Sequence, residues 1–116
     1  MILTVTLNPA LDLTYTLDKL VPHATNRVRA VLERPGGKGL NVARVLHAAG
    51  EPVLATGLLG GATGARVDAM LATDGVPAGF VAIAGETRRT VVVADRVDVT
   101  GLWEPGPVVT AGEWEA

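Results

Sequence analysis

The chain contains no cysteine, which excludes disulfides and thiolate metal sites. Histidine is nearly as scarce. His23 and His47 are too few for a histidine-based metal site without several carboxylates. Aromatic residues make up only 3% of the sequence, so any core must be aliphatic, built from Ala, Val and Leu. Neither sign of charge dominates: ten basic and twelve acidic residues leave a net charge of −2. A broad basic surface is therefore missing, which argues against a nucleic-acid partner. There is also no long apolar run. The opening "MILTVTLNPALD" has no basic region before a short apolar stretch, so it reads neither as a signal peptide nor as a membrane span. The expectation is a soluble cytoplasmic protein.

What is present is a globular composition, 48% hydrophobic and 19% charged, in 116 residues, enough for one modest domain. Residues 2–7, "ILTVTL", read as a short buried strand stopped by Asn8-Pro9. Residues 11–17 alternate cleanly, with Leu11, Leu13, Tyr15 and Leu17 on one face and Asp12, Thr14 and Thr16 on the other. A second two-faced strand is expected over 27–33. Residues 39–49 predict a helix with a wide apolar stripe (Leu40, Val42, Ala43, Val45, Leu46, Ala49), closed by Gly50. Residues 52–61 predict another buried strand, and Thr63 is placed to cap a helix over 64–74. Strands are expected over 79–84, 88–95 and 97–103, then a rigid "EPGP" turn and the start of a helix in "TAGEWEA", which runs to Ala116. The β-α-β-α-β portion suits a parallel layered α/β fold. The two-faced strands suit a separate antiparallel sheet with one face exposed.

The stretch "RPGGKGLNVARVLHAAG" at 34–50 sets three glycines and a lysine against the helix. It is not a Walker loop, because Lys38 is followed by Gly39 rather than Ser or Thr. It is not a dinucleotide fingerprint, because Val42 stands where the last glycine belongs. Its chemistry still suits a ligand. Gly36, Gly37 and Gly39 permit close backbone approach. The helix start offers free N–H groups and a positive dipole end. Lys38 adds a charge, and Asn41 can donate and accept hydrogen bonds, as a sugar hydroxyl requires. A plain strand-to-helix connection with a solvated lysine fits the spacing equally well. Asp12, unusual inside a strand, could accept bonds from two vicinal hydroxyls or be a solvated edge residue. Arg88-Arg89 could grip a phosphate bidentately or end a strand in solvent.

Taken in order, "LNPALDLTYTLD", "TNRV", "PGGKGLNVARVLHAAG", "TGLLGGATG", "GETRRTVVV" and "EPGP" resemble the N-terminal part of the phosphofructokinase B family of ribokinase-like sugar kinases. Within it, the 1-phosphofructokinase and tagatose-6-phosphate kinase branch is most similar. The resemblance covers essentially the whole chain, and "GGKGLNVARVL" is its specific signature. It implies that residues 1–116 are the N-terminal part of a three-layer α/β fold with a small β-sheet lid. Core strands and helices would occupy about 1–8 and 36–84, and lid strands about 11–17, 27–34 and 88–103.

By position, the resemblance implies that Asp12 binds sugar hydroxyls. Gly36 and Gly37 would lie at a lid–core hinge against the sugar, and Lys38 and Asn41 would line the substrate pocket. Arg88, and Arg27 from "TNRV", would help hold the substrate phosphate. The chain departs from the family pattern at Thr90, where Asn is usual, and at Gly101 and Trp103, where Glu and Asn are usual. The family's catalytic base is an Asp in a C-terminal Gly-x-Gly-Asp motif, and no such motif occurs here. The resemblance therefore places that base beyond Ala116, and no catalytic residue is assigned among the 116.

The implied reaction is ATP-dependent phosphorylation of a sugar phosphate, fructose 1-phosphate to the 1,6-bisphosphate, with ATP and Mg²⁺ bound by the full-length family enzyme and neither expected for this piece alone. A phosphorylated ketose and a second copy, through the lid or an exposed sheet edge, are the expected partners, and neither nucleic acid nor membrane is. The alternative is a non-catalytic sugar-phosphate-binding or self-associating module. A dinucleotide-binding domain is disfavoured by the missing third glycine.

Overall fold

The computed structural model describes residues 1–115. The domain expected over 1–116 and the helix expected in "TAGEWEA" both extend to Ala116, which lies outside the described residues. The catalytic base expected beyond Ala116 likewise lies outside them. The elements follow in the order β1 (Ile2–Thr6), β2 (Ala10–Thr16), β3 (Ala30–Gly36), α1 (Lys38–Ala48), β4 (Val53–Gly60), α2 (Gly61–Thr73), β5 (Val81–Ile83), β6 (Arg88–Ala94), β7 (Val99–Trp103) and α3 (Ala111–Glu115). Two sheets result. One is parallel, ordered β1-β4-β5, and the other is four-stranded, ordered β3-β2-β6-β7.

The parallel sheet is a β-α-β-α-β run whose two crossovers share one hand, which puts α1 and α2 on the same face. That face carries Val53, Ala55 and Leu59 of β4, packed with Leu40 and Ala43 of α1 and Val67 and Leu71 of α2. Leu11, only 7% exposed, and Leu13 join the same core from β2, so α2 supports both sheets at once. Arg66 of α2 reaches β3 and pairs with Glu33 at 2.9 Å.

β1 departs from the buried strand its composition predicts. It is an edge strand paired only with β4; Thr4 and Thr6 lie buried on the helix side, while Leu3 and Val5 stand exposed on the open face. The second two-faced strand also runs later than its pattern suggests. Asn26 folds the preceding loop onto itself, accepting from the Val21 N–H at 2.8 Å and donating to the carbonyls of Val21 and Ala24. Pairing with β2 then begins at Ala30 and runs through Pro35 to Gly36. Proline is tolerated there because β3 is an edge strand.

The four-stranded sheet is mixed rather than antiparallel. β2 and β6 leave the parallel sheet in the same sense, one after β1 and one after β5, so they pair in parallel, while β3 and β7 return antiparallel on either side.

In α1 the apolar stripe is narrower than expected: Leu40, Ala43 and the partly buried Leu46 meet the core, while Val42 and Val45 are exposed. Gly50, at φ +83°, ends the helix as expected, and the Glu51 N–H reaches back to the Leu46 carbonyl at 3.0 Å. α2 begins three residues before the expected start. Thr63 lies inside its first turn and is not the cap. The Thr63 N–H instead donates to the Glu86 carboxylate at 2.7 Å, and that bond holds Glu86 below the usual carboxylate range. Gly61, at φ +67°, leaves the space the Glu86 carboxylate fills. In α3, Thr110 and Glu113 cap reciprocally, N–H to side-chain oxygen at 2.9 and 3.2 Å.

Candidate functional site

Strand register brings four side chains into one row. Asp12 lies opposite Arg34 on β3 and opposite Thr90 on β6, and Thr90 lies opposite Trp103 on β7. Register partners share a face of the sheet, so this row looks away from the side that carries Leu11 and Leu13. It borders a hollow of about 370 Å³, completed by Thr14, Val92, Arg88 and, from the start of α1, Gly37, Lys38 and Asn41. A neighbouring hollow of about 500 Å³ shares Asp12, Arg34 and Asn41 and adds Arg44.

Each glycine of the approach has a steric reason. A Cβ at Gly36 would occupy the position of the Asp12 carboxylate. Gly37 has φ +111°, and a Cβ there would sit 2.8 Å from the Thr6 methyl. Gly37 is also the N-cap of α1 and provides no side-chain cap, so the first-turn N–H groups are left for another acceptor. Asp12 is half-buried and has one fixed partner, the buried Thr90 hydroxyl, which donates to Asp12 Oδ1.

The arginine pair is split by strand alternation. Arg88 faces the hollow and donates from Nε to the Asn8 carbonyl at 3.3 Å. Arg89 faces the other way. It donates from Nη2 to Glu104 at 3.0 Å, and its backbone N–H donates to the same carboxylate at 2.8 Å. These bonds raise the Arg89 guanidinium and lower the Glu104 carboxylate relative to their ordinary values.

The hollow thus gathers Asp12, Gly37, Lys38, Asn41 and Arg88, with the buried Gly36 directly behind Asp12. Arg27 is not among them; it lines a separate hollow with Asp18, Asn26 and Arg29. Arg34 and Thr14 were not anticipated as site residues. The alternation of β2 already put Thr14 beside Asp12, but Arg34 becomes visible only once the β2–β3 register is known. Three cations, Arg34, Lys38 and Arg88, face one carboxylate, a balance suited to an anion that also carries hydroxyl groups.

Elsewhere, a hollow of about 460 Å³ between α2 and β5 has Asp68 as its single charged lining residue and so offers little chemistry. Among the described residues no three His, Asp or Glu side chains are gathered as metal ligands would be.

The family model for pfkB family carbohydrate kinases matches residues 5–100. A tagatose-6-phosphate kinase from Staphylococcus epidermidis is 42% identical over 115 residues, which is 99% of this chain and 37% of that protein. Phosphofructokinase-2 from Escherichia coli, solved in complex with fructose-6-phosphate, superposes with a TM-score of 0.92 at 31% identity, over 98% of this chain and 38% of that one. A Thermotoga maritima protein described as a possible 1-phosphofructokinase superposes with a TM-score of 0.90 at 34% identity, over 99% of this chain and 38% of that one. The chain therefore spans little more than a third of the relatives it matches, and its α/β fold is the corresponding part of their ribokinase-like fold. By the match of sequence, fold and signature together, the chain belongs to the pfkB family of carbohydrate kinases.

Proposed function

We propose that this chain forms the acceptor-binding part of an ATP-dependent sugar-phosphate kinase, with a phosphorylated ketose as acceptor and fructose 1-phosphate, converted to the 1,6-bisphosphate, as its first candidate. The observation that carries this reading is the meeting of one oriented carboxylate with three cations and a helix start in a single hollow. In it, Asp12 accepts hydrogen bonds from vicinal sugar hydroxyls, and Thr90 fixes the carboxylate for them. Arg88 and Lys38 neutralise the phosphate, aided by the uncapped N–H groups of α1. Asn41 donates to or accepts from a further hydroxyl. Gly36 and Gly37 let the chain pass close behind the sugar. Arg27, in its own hollow, takes no part in this arrangement.

The work of these residues is positioning, which in phosphoryl transfer supplies much of the catalysis. ATP with Mg²⁺ supplies the transferred phosphoryl group in the whole enzyme. The residues of this hollow do not fit a nucleotide–metal site, since Asp12 is the only carboxylate there and Thr90 already engages it. No step of the transfer is therefore assigned to them, and the chain by itself is expected to be inactive. Self-association is expected through the open face of the parallel sheet, where Leu3 and Val5 are 57% and 54% exposed.

Calorimetry with fructose 1-phosphate tests the reading. Binding that is lost in Asp12→Ala supports it, and absence of binding to the unmodified chain overturns it. A coupled ADP-release assay on the 116-residue chain should show no turnover. Tagatose 6-phosphate, the substrate named for the S. epidermidis relative, is the competitor to run beside it.

A further inference from the structure

Trp103 ends the cross-strand row at the wall of the hollow, yet its residue surface is 62% exposed. Gly101 precedes it on the same face of β7. A Cβ at Gly101 would fall among Cζ3, Cη2 and Cε3 of the Trp103 ring. The indole is therefore laid over the glycine, and any larger residue at 101 would push it away. The φ of Gly101 is not in the left-handed region, so the conformation of the strand does not demand a glycine there. The space for the ring does.

An open aromatic surface lining the same hollow as Arg34, Asp12 and Arg88 is poorly suited to an apolar protein partner, which would have to bury those charges. It is well suited to a sugar. A sugar ring presents hydroxyls at its edge and C–H groups on its face, and the face matches the electron-rich surface of an indole. Asp12 and Trp103 stand two strands apart, roughly 10 Å between backbones, with only the short Thr90 side chain between them, so a ring reaching from carboxylate to indole would lie over Thr90.

We infer that Trp103, seated on Gly101, is a stacking platform for the ketose ring, and that it makes the hollow prefer a cyclic sugar phosphate over an acyclic polyol phosphate. The inference rests on the reading of the hollow as an acceptor site.

The test uses the full 116-residue chain with fructose 1-phosphate and, as an acyclic probe with a phosphate of similar charge, glycerol 3-phosphate. In a Trp114→Phe background, Trp103 is the only tryptophan, and its fluorescence should change on addition of fructose 1-phosphate. By calorimetry, Trp103→Leu should weaken fructose 1-phosphate about tenfold, and Trp103→Phe by about threefold or less. Glycerol 3-phosphate should bind all three proteins alike. Because Trp103 is exposed, both variants should keep the parent circular dichroism and melting temperature. Retention of fructose 1-phosphate affinity within about twofold in Trp103→Leu, with Asp12→Ala still disrupting it, overturns the platform and leaves the acceptor site standing. If the unmodified chain binds neither ligand, or Asp12→Ala binds as well as the parent, the acceptor reading falls and the platform with it.

Discussion

Thr90 and Asp12 lie 78 residues apart in sequence and are joined side chain to side chain, hydroxyl to carboxylate, across β6 and β2. The bond leaves Asp12 one preferred orientation over the hollow. Thr90→Val keeps the shape and removes the donor. Because a hydrogen bond to a charged group contributes about 1.5–3 kcal/mol, fructose 1-phosphate should bind more weakly by about tenfold or more. Stability should fall as well, by about 1–3 kcal/mol, since the half-buried Asp12 carboxylate loses its hydrogen-bond partner although the volume is kept. Calorimetry paired with a melting curve checks both outcomes.

Gly36→Ala should behave differently. Its methyl group would collide with the Asp12 carboxylate, and Pro35 on the same strand is fully buried and cannot yield freely. Either Asp12 turns away or β3 shifts, and both damage the hollow. Overpacking of this kind costs about 1–3 kcal/mol, so both the urea midpoint and sugar-phosphate affinity should fall. Retained affinity with lowered stability would show that Asp12 finds its place without the glycine.

Asp95 contributes to the acid limb of stability. Its carboxylate accepts backbone N–H bonds from Leu20, Val97 and Asp98, each at 2.9 Å, and these bonds hold it down at about 2, against an ordinary value of 3.8. A depressed carboxylate stabilises the fold above its unfolded pKa and loses that contribution as pH falls through the folded one. Asp95→Asn, a mimic of the protonated form, should therefore be less stable than the parent above about pH 4, with the difference shrinking below that and vanishing only as pH falls below about 2. Urea titrations at several pH values would show this, and a difference that does not shrink on acidification would refute it.

Leu71→Ala tests the shared core. Leu71 is fully buried on α2, the helix that supports both sheets. The cavity should cost about 2–5 kcal/mol of stability, read from denaturant midpoints. Sugar-phosphate binding should weaken as well, because the four-stranded sheet loses its support.

Much of this was legible from side-chain pattern. The period-two alternation of 11–17 placed Asp12 opposite Leu11 and Leu13, and the glycine at 50 marked the end of α1. The run "RRTVVVA" announced β6. What pattern could not supply was register. Arg34 was not legible as a site residue because alternation alone ended its strand at residue 33, and only pairing with β2 carries β3 on through Pro35 and sets Arg34 opposite Asp12. Thr63 looked like a cap, but Glu86, more than twenty residues downstream, takes that role through a contact no local window contains. Thr90, Gly101 and Trp103 stood out only as departures from a family pattern. Their arrangement in the hollow needed the β6–β7 pairing.

The parallel pairing of β2 with β6 also has a kinetic consequence. The two strands meet only after the intervening 78-residue separation has been spanned, and such distant closures are slow to form. During refolding, helical signal from α1 and α2 should return first, and affinity for a sugar phosphate should lag behind it. On this ordering, ligand capture reports the last act of assembly rather than the first collapse.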